Sequence, residues 1–300
     1  MQPDLVWVKE RGGTASHGWT DSVRGLDKYL SSEQNIAEYS LSNNGLSAFG
    51  SDGFTVVSHA MFNGSSKTYV AWCWKESADA GFDMVLYTGT GSAHTISHSL
   101  SAVPDVMIMK GRSFSDGWIP YFKTSGNPII LALDDTVADR YSSRWSPFFN
   151  STAPTSSVFT VGTDSAINTN SGTHIAYLWS AKQGFSKFGS YTGNGSSSDG
   201  TFVYTGFRPA WIMFKNASAG SSNWQIYDNK REGYNGQNDL FRANSSNAEG
   251  DGVDPIDILS NGFKQLNTAA SNNVSGQTYV YMAFAEAPFV NSNGVPCNAR

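Results

Sequence analysis

The run Pro3-Asp4-Leu5-Val6-Trp7-Val8-Lys9 returns as Pro104-Asp105-Val106-Met107-Ile108-Met109-Lys110 and again as Pro209-Ala210-Trp211-Ile212-Met213-Phe214-Lys215. Each run opens with Pro and reaches Lys six positions later, and successive copies are offset by 101 and 105 residues. The four residues before each Lys are apolar, the pattern expected of a strand covered on both faces. A tryptophan follows each Lys after a polar, Gly/Ser-containing gap, at Trp19, Trp118 and Trp224.

Working outward, two more landmarks recur in the same order. Gly53-Phe54-Thr55-Val56, Val158-Phe159-Thr160-Val161 and Gly262-Phe263-Lys264-Gln265 have their Phe residues offset by 105 and 104. Thr68-Tyr69-Val70-Ala71-Trp72, Thr173-His174-Ile175-Ala176-Tyr177 and Thr278-Tyr279-Val280-Tyr281-Met282 each follow an Asn/Gly/Ser turn. Four landmarks at nearly constant spacing make one unit written three times. A fifth appears only twice, as Tyr87-Thr88-Gly89-Thr90-Gly91 and Tyr191-Thr192-Gly193-Asn194-Gly195, ahead of the second and third Pro runs. Copy one lacks this leading segment. Either the chain is cut from a longer protein or another piece fills the place, and Phe289 to Arg300 is the spare stretch that could pair there.

The unit reads as β structure: short apolar runs rich in Val, Ile, Phe, Tyr and Trp, bounded by Gly, Asn, Ser or Pro. Turn signals recur at the spacing of a sandwich or jelly roll. The one helix-like candidate spans about Ser31 to Ser40. The expected organisation is all-β, with tandem sandwich units at 1–80 (incomplete at its N-terminal side), 81–184 and 185–288, and a tail at 289–300. Each unit is long enough for one modest core of its own.

Composition excludes several classes. Lys plus Arg is 20 and Asp plus Glu is 25, a formal charge of −5, with charged residues at only 15%. That balance lacks the basic footprint of phosphate-backbone binding, so nucleic acid is not an expected partner. Apolar stretches of six or seven residues fall far short of the roughly 20 needed for a membrane-spanning helix. Met1-Gln2-Pro3-Asp4 has no signal-peptide pattern. The two cysteines, Cys73 and Cys297, make neither a disulfide framework nor a metal cluster. Cys73 reads as a buried small hydrophobe, and Cys297 has no role assigned by its surroundings.

Among residues that could carry chemistry, Asp134-Asp135 is an adjacent acidic pair. On a strand its members would point to opposite faces, so they could flank one bond only if the backbone turned there. Glu76 and Glu286 follow matching strands, and with Asp134 they are the carboxylates available to a glycosidase, which needs two at a defined separation. His94 and His98 lie about 13 Å apart on a strand, too far for one zinc ion. Gly193-Asn194-Gly195 reads as a turn. No cofactor is implied, although Glu249, Asp251, Asp254 and Asp257 cluster in a Gly-rich loop where calcium could sit. The most distinctive polar pattern follows the repeated Lys: Trp19, Asp21 and Arg24 in copy one, Trp224, Asp228 and Arg231 in copy three. Two readings stay open. One is a core Trp beside a structural Asp–Arg pair. The other is a ligand site in which Trp stacks on a sugar ring while Asp and Arg bond its hydroxyls. Copy two keeps Trp118 but continues Pro120-Tyr121-Phe122, without the Asp and Arg.

At Pro3 to Lys9, Asp21-Ser22-Val23-Arg24-Gly25, Ser51-Asp52-Gly53-Phe54-Thr55-Val56, Tyr191-Thr192-Gly193-Asn194-Gly195 and Thr278-Tyr279-Val280-Tyr281, the chain resembles a repeat domain of tailed-bacteriophage virion proteins. That domain is similar to the concanavalin A-like (laminin G-like) jelly-roll group. The resemblance implies a non-enzymatic virion surface protein. It would be a tail-fibre or receptor-recognition component on the released particle, binding a host-surface glycan or protein. It also implies other virion proteins and further copies of the chain as partners, with no membrane insertion. Alternatives are a capsid or tail decoration protein contacting only virion subunits, and an envelope-polysaccharide glycosidase.

Overall fold

The computed structural model describes all residues except 43, 126–127, 140–141, 232–234, 236–238, 251–254, 288, 291–295 and 298–300. Over residues 1–80 the elements are β1 (Leu5–Glu10), β2 (Gly18–Asp21), β3 (Lys28–Tyr29), β4 (Tyr39–Ser40), β5 (Leu46–Gly50), β6 (Gly53–Val56), α1 (Ala60–Asn63) and β7 (Tyr69–Trp74). Over 81–184 they are β8 (Phe82–Thr88), β9 (His94–Ser97), β10 (Val106–Gly111), β11 (Ile119–Phe122), β12 (Ile129–Ile130), α2 (Trp145–Phe149), β13 (Val158–Val161), α3 (Ser165–Asn168) and β14 (Thr173–Trp179), with a 3-10 turn at Ser142–Arg144. Beyond 184 follow β15 (Ser186–Thr192), β16 (Phe202–Tyr204), β17 (Pro209–Asn216), β18 (Gln225–Asp228), β19 (Phe241–Arg242), β20 (Ile256–Leu259), β21 (Gly262–Gln265), β22 (Thr278–Ala285), β23 (Phe289–Val290) and β24 (Pro296–Cys297). The fold is all-β in sandwich layers.

Each repeated Pro-to-Lys run is the centre of an antiparallel sheet. The orders are β2-β1-β7, β12-β11-β10-β14-β8 and β15-β22-β17-β18-β19. Registers match between sheets: Leu5 faces Trp74, Val106 faces Trp179 and Trp211 faces Phe284. On the other side Leu5 faces Asp21, Val106 faces Phe122 and Trp211 faces Asp228. Smaller sheets β5-β6, β9-β13 and β16-β21-β20 supply the second layers. The tail strands β23 and β24 pair with each other.

Alternation along each central strand sends successive side chains to opposite faces, and all three strands are buried except at half-buried Ala210. One face packs under its own small sheet: Val6 and Val8 with Leu46 and Phe62, Met107 and Met109 with Phe159, Ile212 and Phe214 with Phe263. The opposite faces do not make separate cores. Leu5, Trp7, Val106, Ile108, Trp211 and Met213 join one apolar cluster that also holds Trp19, Trp72, Trp74, Trp118, Trp179 and Trp224. The sequence predicts one core per unit; the structure adds a fourth, shared and dominated by indoles. A sheet with both faces apolar must be covered twice, and here the second cover is the neighbouring sheets.

The stretch Ser31 to Ser40 is not the helix its weak periodicity suggests. It runs without helical structure to β4 and lies along the second copy. Trp118 Nε1 donates to Ser31 O at 2.8 Å, Lys110 Nζ to Asn35 O at 3.3 Å and Glu38 N to Arg112 O at 2.8 Å. Equivalent bonds join the second stretch to the third, Trp224 Nε1 to Ala132 O at 2.8 Å and Asp139 N to Ala217 O at 3.0 Å. They also join the third to the first, through Glu249 N to Arg11 O at 2.8 Å. The contacts therefore close on themselves, first to second to third to first.

Candidate functional site

The Trp, Asp and Arg residues that could have bound a sugar lie inside the molecule. Trp19 is 1% exposed and Trp224 0%, so neither indole offers a face to a ligand. Trp19 packs on Trp7, Trp118 and Tyr177 at 4.5, 5.1 and 5.0 Å between ring centroids. Arg24 Nε donates to Asp21 Oδ2 at 2.5 Å, and Nη2 donates to Trp19 O at 2.7 Å. Arg231 Nε donates to Asp228 Oδ2 at 2.8 Å. Each Asp also accepts from the next copy: Tyr177 Oη donates to Asp21 at 2.7 Å, and Trp72 Nε1 to Asp228 at 3.1 Å. The ring-stacking reading gives way to the structural one, because large aromatics at a sheet-to-sheet junction bury more apolar area than a ligand platform leaves exposed.

The repeated lysines behave alike. Lys9, Lys110 and Lys215 are each 0% exposed, and each ammonium donates to carbonyls: Glu10 O and Gly13 O, Asn35 O and Asp116 O, Thr136 O and Asn216 O. Burial pushes each of them down to about 8. These cations fasten loops, and none of the three is among the residues lining the polar cleft of Asn35, Asp134 and Asp135.

What does face outward is a polar cleft where the Glu33–Tyr39 stretch meets the second copy. Two cavities of about 360 and 620 Å³ share Asn35, Asp134 and Asp135 as walls. The chain bends at 133–135 rather than running as a strand, so the two adjacent carboxylates line one cleft instead of opposite faces. Asp134 Oδ1 accepts the Trp118 N–H at 3.0 Å, and Asp135 Oδ1 accepts the Thr136 N–H at 2.5 Å. Burial pushes the Asp134 carboxyl above its usual range, and neighbouring Asp135 adds to this. At the rim stands Tyr39, 48% exposed, stacked on Tyr29 at 5.6 Å. Deeper in, Asp164 receives the Arg144 guanidinium. Asn35, Tyr39 and Asp116 carry no sequence signal of their own. Lys110, which holds the Asn35 and Asp116 backbones together, was visible as a repeat landmark.

The model of a family described as a domain of unknown function, DUF7483, matches residues 1–288. The chain belongs to the DUF7483 family. Neither a curated protein nor a solved structure matches it. A single family model thus runs across all three Pro-to-Lys runs of this DUF7483 chain, the same extent over which the junctions close.

The remaining candidates of the DUF7483 chain are dispersed. Glu76 Oε1 accepts the Met84 N–H at 3.1 Å, and burial together with Asp83 pushes its carboxyl up to about 7. Neither Glu76 nor Glu286 lines the cleft of Asp134. Of the acidic loop considered for calcium, Asp251 and Asp254 lie outside the described residues. Glu249 is held by Arg11 at 2.7 Å and Arg231 at 3.0 Å, while Asp257 sits within β20. Among the described residues no three potential ligands converge on a metal position, and no helix is long and apolar enough to cross a membrane. Cys73 is exposed, contrary to its reading as a buried hydrophobe. Its strand lies at a sheet edge, where alternate residues meet solvent.

Proposed function

We propose that this DUF7483 chain is a non-enzymatic structural protein of a tailed-phage particle, a tail-fibre or receptor-recognition component. Its ligand surface is the cleft of Asn35, Asp134 and Asp135. The observation that carries the binding reading is the placement of two carboxylates, held by the Trp118 and Thr136 N–H groups, beside Asn35 and below an exposed Tyr39. Fixed acceptors beside an aromatic face suit a polyhydroxylated ligand. The Lys and the Trp-Asp-Arg groups are engaged in internal contacts, which supports a scaffold over a reaction centre. The virion assignment rests on the quoted sequence words.

A glycan array tests this reading, with the wild type beside Tyr39→Ala and Asp135→Asn. Binding that either substitution abolishes, with the fold intact, supports it. Binding unaffected by both, or none at all, overturns it. Release of reducing sugar from host envelope, lost in Asp134→Asn, would establish the glycosidase instead. Labelled antibody on intact particles distinguishes a fibre tip from a capsid or tail face. The decoration reading draws on the outer edge of β7, which no strand among the described residues pairs with, a surface suited to another subunit.

A further inference from the structure

The three central sheets differ at one position. In the second, β14 is covered along its outer edge by β8, and in the third β22 is covered by β15. The equivalent strand of the first sheet, β7, ends the order β2-β1-β7. Asp4 N donates to Trp74 O and Arg11 N to Thr68 O. By alternation the backbone groups of Tyr69, Ala71 and Cys73 therefore point away from β1. β14 and β22 are buried along nearly their whole length, whereas Ala71 and Cys73 are exposed.

Other parts of the same vacancy surround that edge. Tyr87 lies flat on His174 at 4.9 Å, and Tyr191 lies flat on Tyr279 at 4.8 Å, both with 7° between planes. Tyr69 occupies the matching register position and is half-buried. Asn168 and Asn273 are both 0% exposed and accept the backbone N–H groups of Thr90 and Asn194 in the turns that follow β8 and β15. Asn63, at the matching end of α1, is exposed. In the second layer β9 covers β13 and β16 covers β21, while among the described residues β6 pairs with β5 alone. Finally, a cavity of about 280 Å³ opens beside β7, walled by Trp72, Cys73, Trp74, Phe185, Trp211 and Phe284. Facing the shared core from the equivalent positions of the other sheets are Met84 and Phe188.

We propose that the outer edge of β7 is a strand-docking site. Its occupant is a partner polypeptide segment carrying the pattern common to β8 and β15, Met/Phe-x-x-Tyr-Thr-Gly. Docked antiparallel in the register of Met84 on Tyr177 and Phe188 on Met282, its Met or Phe lies opposite Trp72 and enters the cavity. Its Tyr stacks on Tyr69, and its turn reaches Asn63. The Gly is required for close approach: a Cβ on Gly89 or Gly193 would come within 2.2 or 2.3 Å of a carbonyl oxygen in the neighbouring turn. Main-chain pairing supplies affinity and the alternate side chains supply register. This site stands independently of the ligand reading of the Asp134 cleft.

The probe is a synthetic peptide of residues 80–92 of this chain, added to the full protein carrying Cys297→Ser. The peptide has no Trp, so the indoles beside the cavity report on it. We expect saturable one-to-one binding seen in Trp fluorescence. Under oxidation an Asp83→Cys peptide should cross-link to Cys73, since Asp83 faces Leu178, the register equivalent of Cys73. A Met84→Cys peptide should not. Ala71→Pro, tolerated at an edge but missing an outward N–H, should weaken binding by about tenfold. No binding, equal cross-linking by both peptides, or unchanged binding to a folded Ala71→Pro protein overturns the proposal. A dimer joined through Cys73 that the peptide cannot displace would assign the edge to a second copy. Stronger competition by a peptide of residues 287–298 would assign it to the chain's own tail.

Discussion

Tyr177 on β14 donates its hydroxyl to Asp21 on β2 at 2.7 Å, across the junction between the first and second copies. Asp228 accepts from Trp72 at the third-to-first junction. The remaining junction has Phe122 in place of the acid, by register, and Met282 in place of the donor. Acid and donor are lost together there, as expected if a buried carboxylate without its partners costs more than an apolar pair. Divergence of copy two at Pro120-Tyr121-Phe122 is thus a different solution at the same structural position.

That relationship predicts a set of stabilities. Tyr177→Phe should cost about 1–2 kcal/mol, the loss of one donor to a buried charge. Asp21→Ala should cost about 3–5 kcal/mol, because Arg24 would remain buried with only its longer ion pair to Glu38, at 3.3 Å. Combining Asp21→Phe, Arg24→Ser and Tyr177→Met copies the apolar junction and should cost clearly less than the sum of the three single changes. Urea unfolding of these six variants measures the set, and strict additivity in the triple would contradict coupling.

Two carboxylates clamp arginines from adjoining copies. Glu38 receives Arg112 at 2.9 Å and Arg24 at 3.3 Å, and Glu249 receives Arg11 and Arg231. Burial pushes both carboxyls up, but the arginines outweigh it and hold both below the usual range. Glu38→Gln should therefore destabilise the protein at pH 7, with the deficit shrinking as pH falls below the ordinary glutamate value, where the wild type loses the same contribution. Unfolding midpoints at pH 7 and pH 3.5 give the comparison.

His17 accepts the Trp7 indole N–H on Nδ1 at 2.8 Å, so Nε2 carries the proton and donates to Ser245 O at 3.1 Å. Burial pushes His17 down to about 3 and His174 down to about 4. The unfolded chain binds these protons near pH 6.5 and the folded one resists them. Stability from both is complete above pH 6.5 and is lost progressively as pH falls toward 4 and 3. His17→Gln should lower stability at pH 7 and flatten the slope between pH 6.5 and 4, read from thermal unfolding across that range.

The three buried lysines predict a second rise of stability with pH, in alkali. With folded values near 8 against 10.5 for the free side chain, their cost is fully present below pH 8 and is relieved as pH rises. Stability should rise between pH 8 and 10. Above that, tyrosines such as Tyr177 and Tyr191, whose burial raises them well above their usual range, turn the curve down. Lys215→Met should make the rise shallower, as denaturant midpoints at pH 8, 9 and 10 would register.

The Pro-to-Lys runs were legible as central strands because two-sided burial leaves an unbroken apolar run. Among the described residues the outer edge of β7 pairs with no strand, whereas its counterparts are covered by the strands carrying Tyr87-Thr88-Gly89 and Tyr191-Thr192-Gly193. The helix expected at Ser31 to Ser40 failed because that stretch draws its hydrogen bonds from Trp118, Lys110 and Arg112, far away in sequence. Asp134 and Asp135 share a cleft because the chain bends at 133–135, the one condition under which strand alternation does not separate them.

By itself the sequence determined the central strands and the threefold recurrence of their landmarks, the closing lysines among them, since these follow from local patterns of apolar runs and turn chemistry; that those lysines are buried came from the structure. Only the tertiary structure decided what the outer faces of those strands do. Whether a Trp beside an Asp and an Arg meets a ligand or another sheet depends on which surface lies opposite, and no local pattern carries that information. Trp19 and Trp224 went to the shared core because three sheets, each apolar on two faces, cover more apolar area against one another than against water.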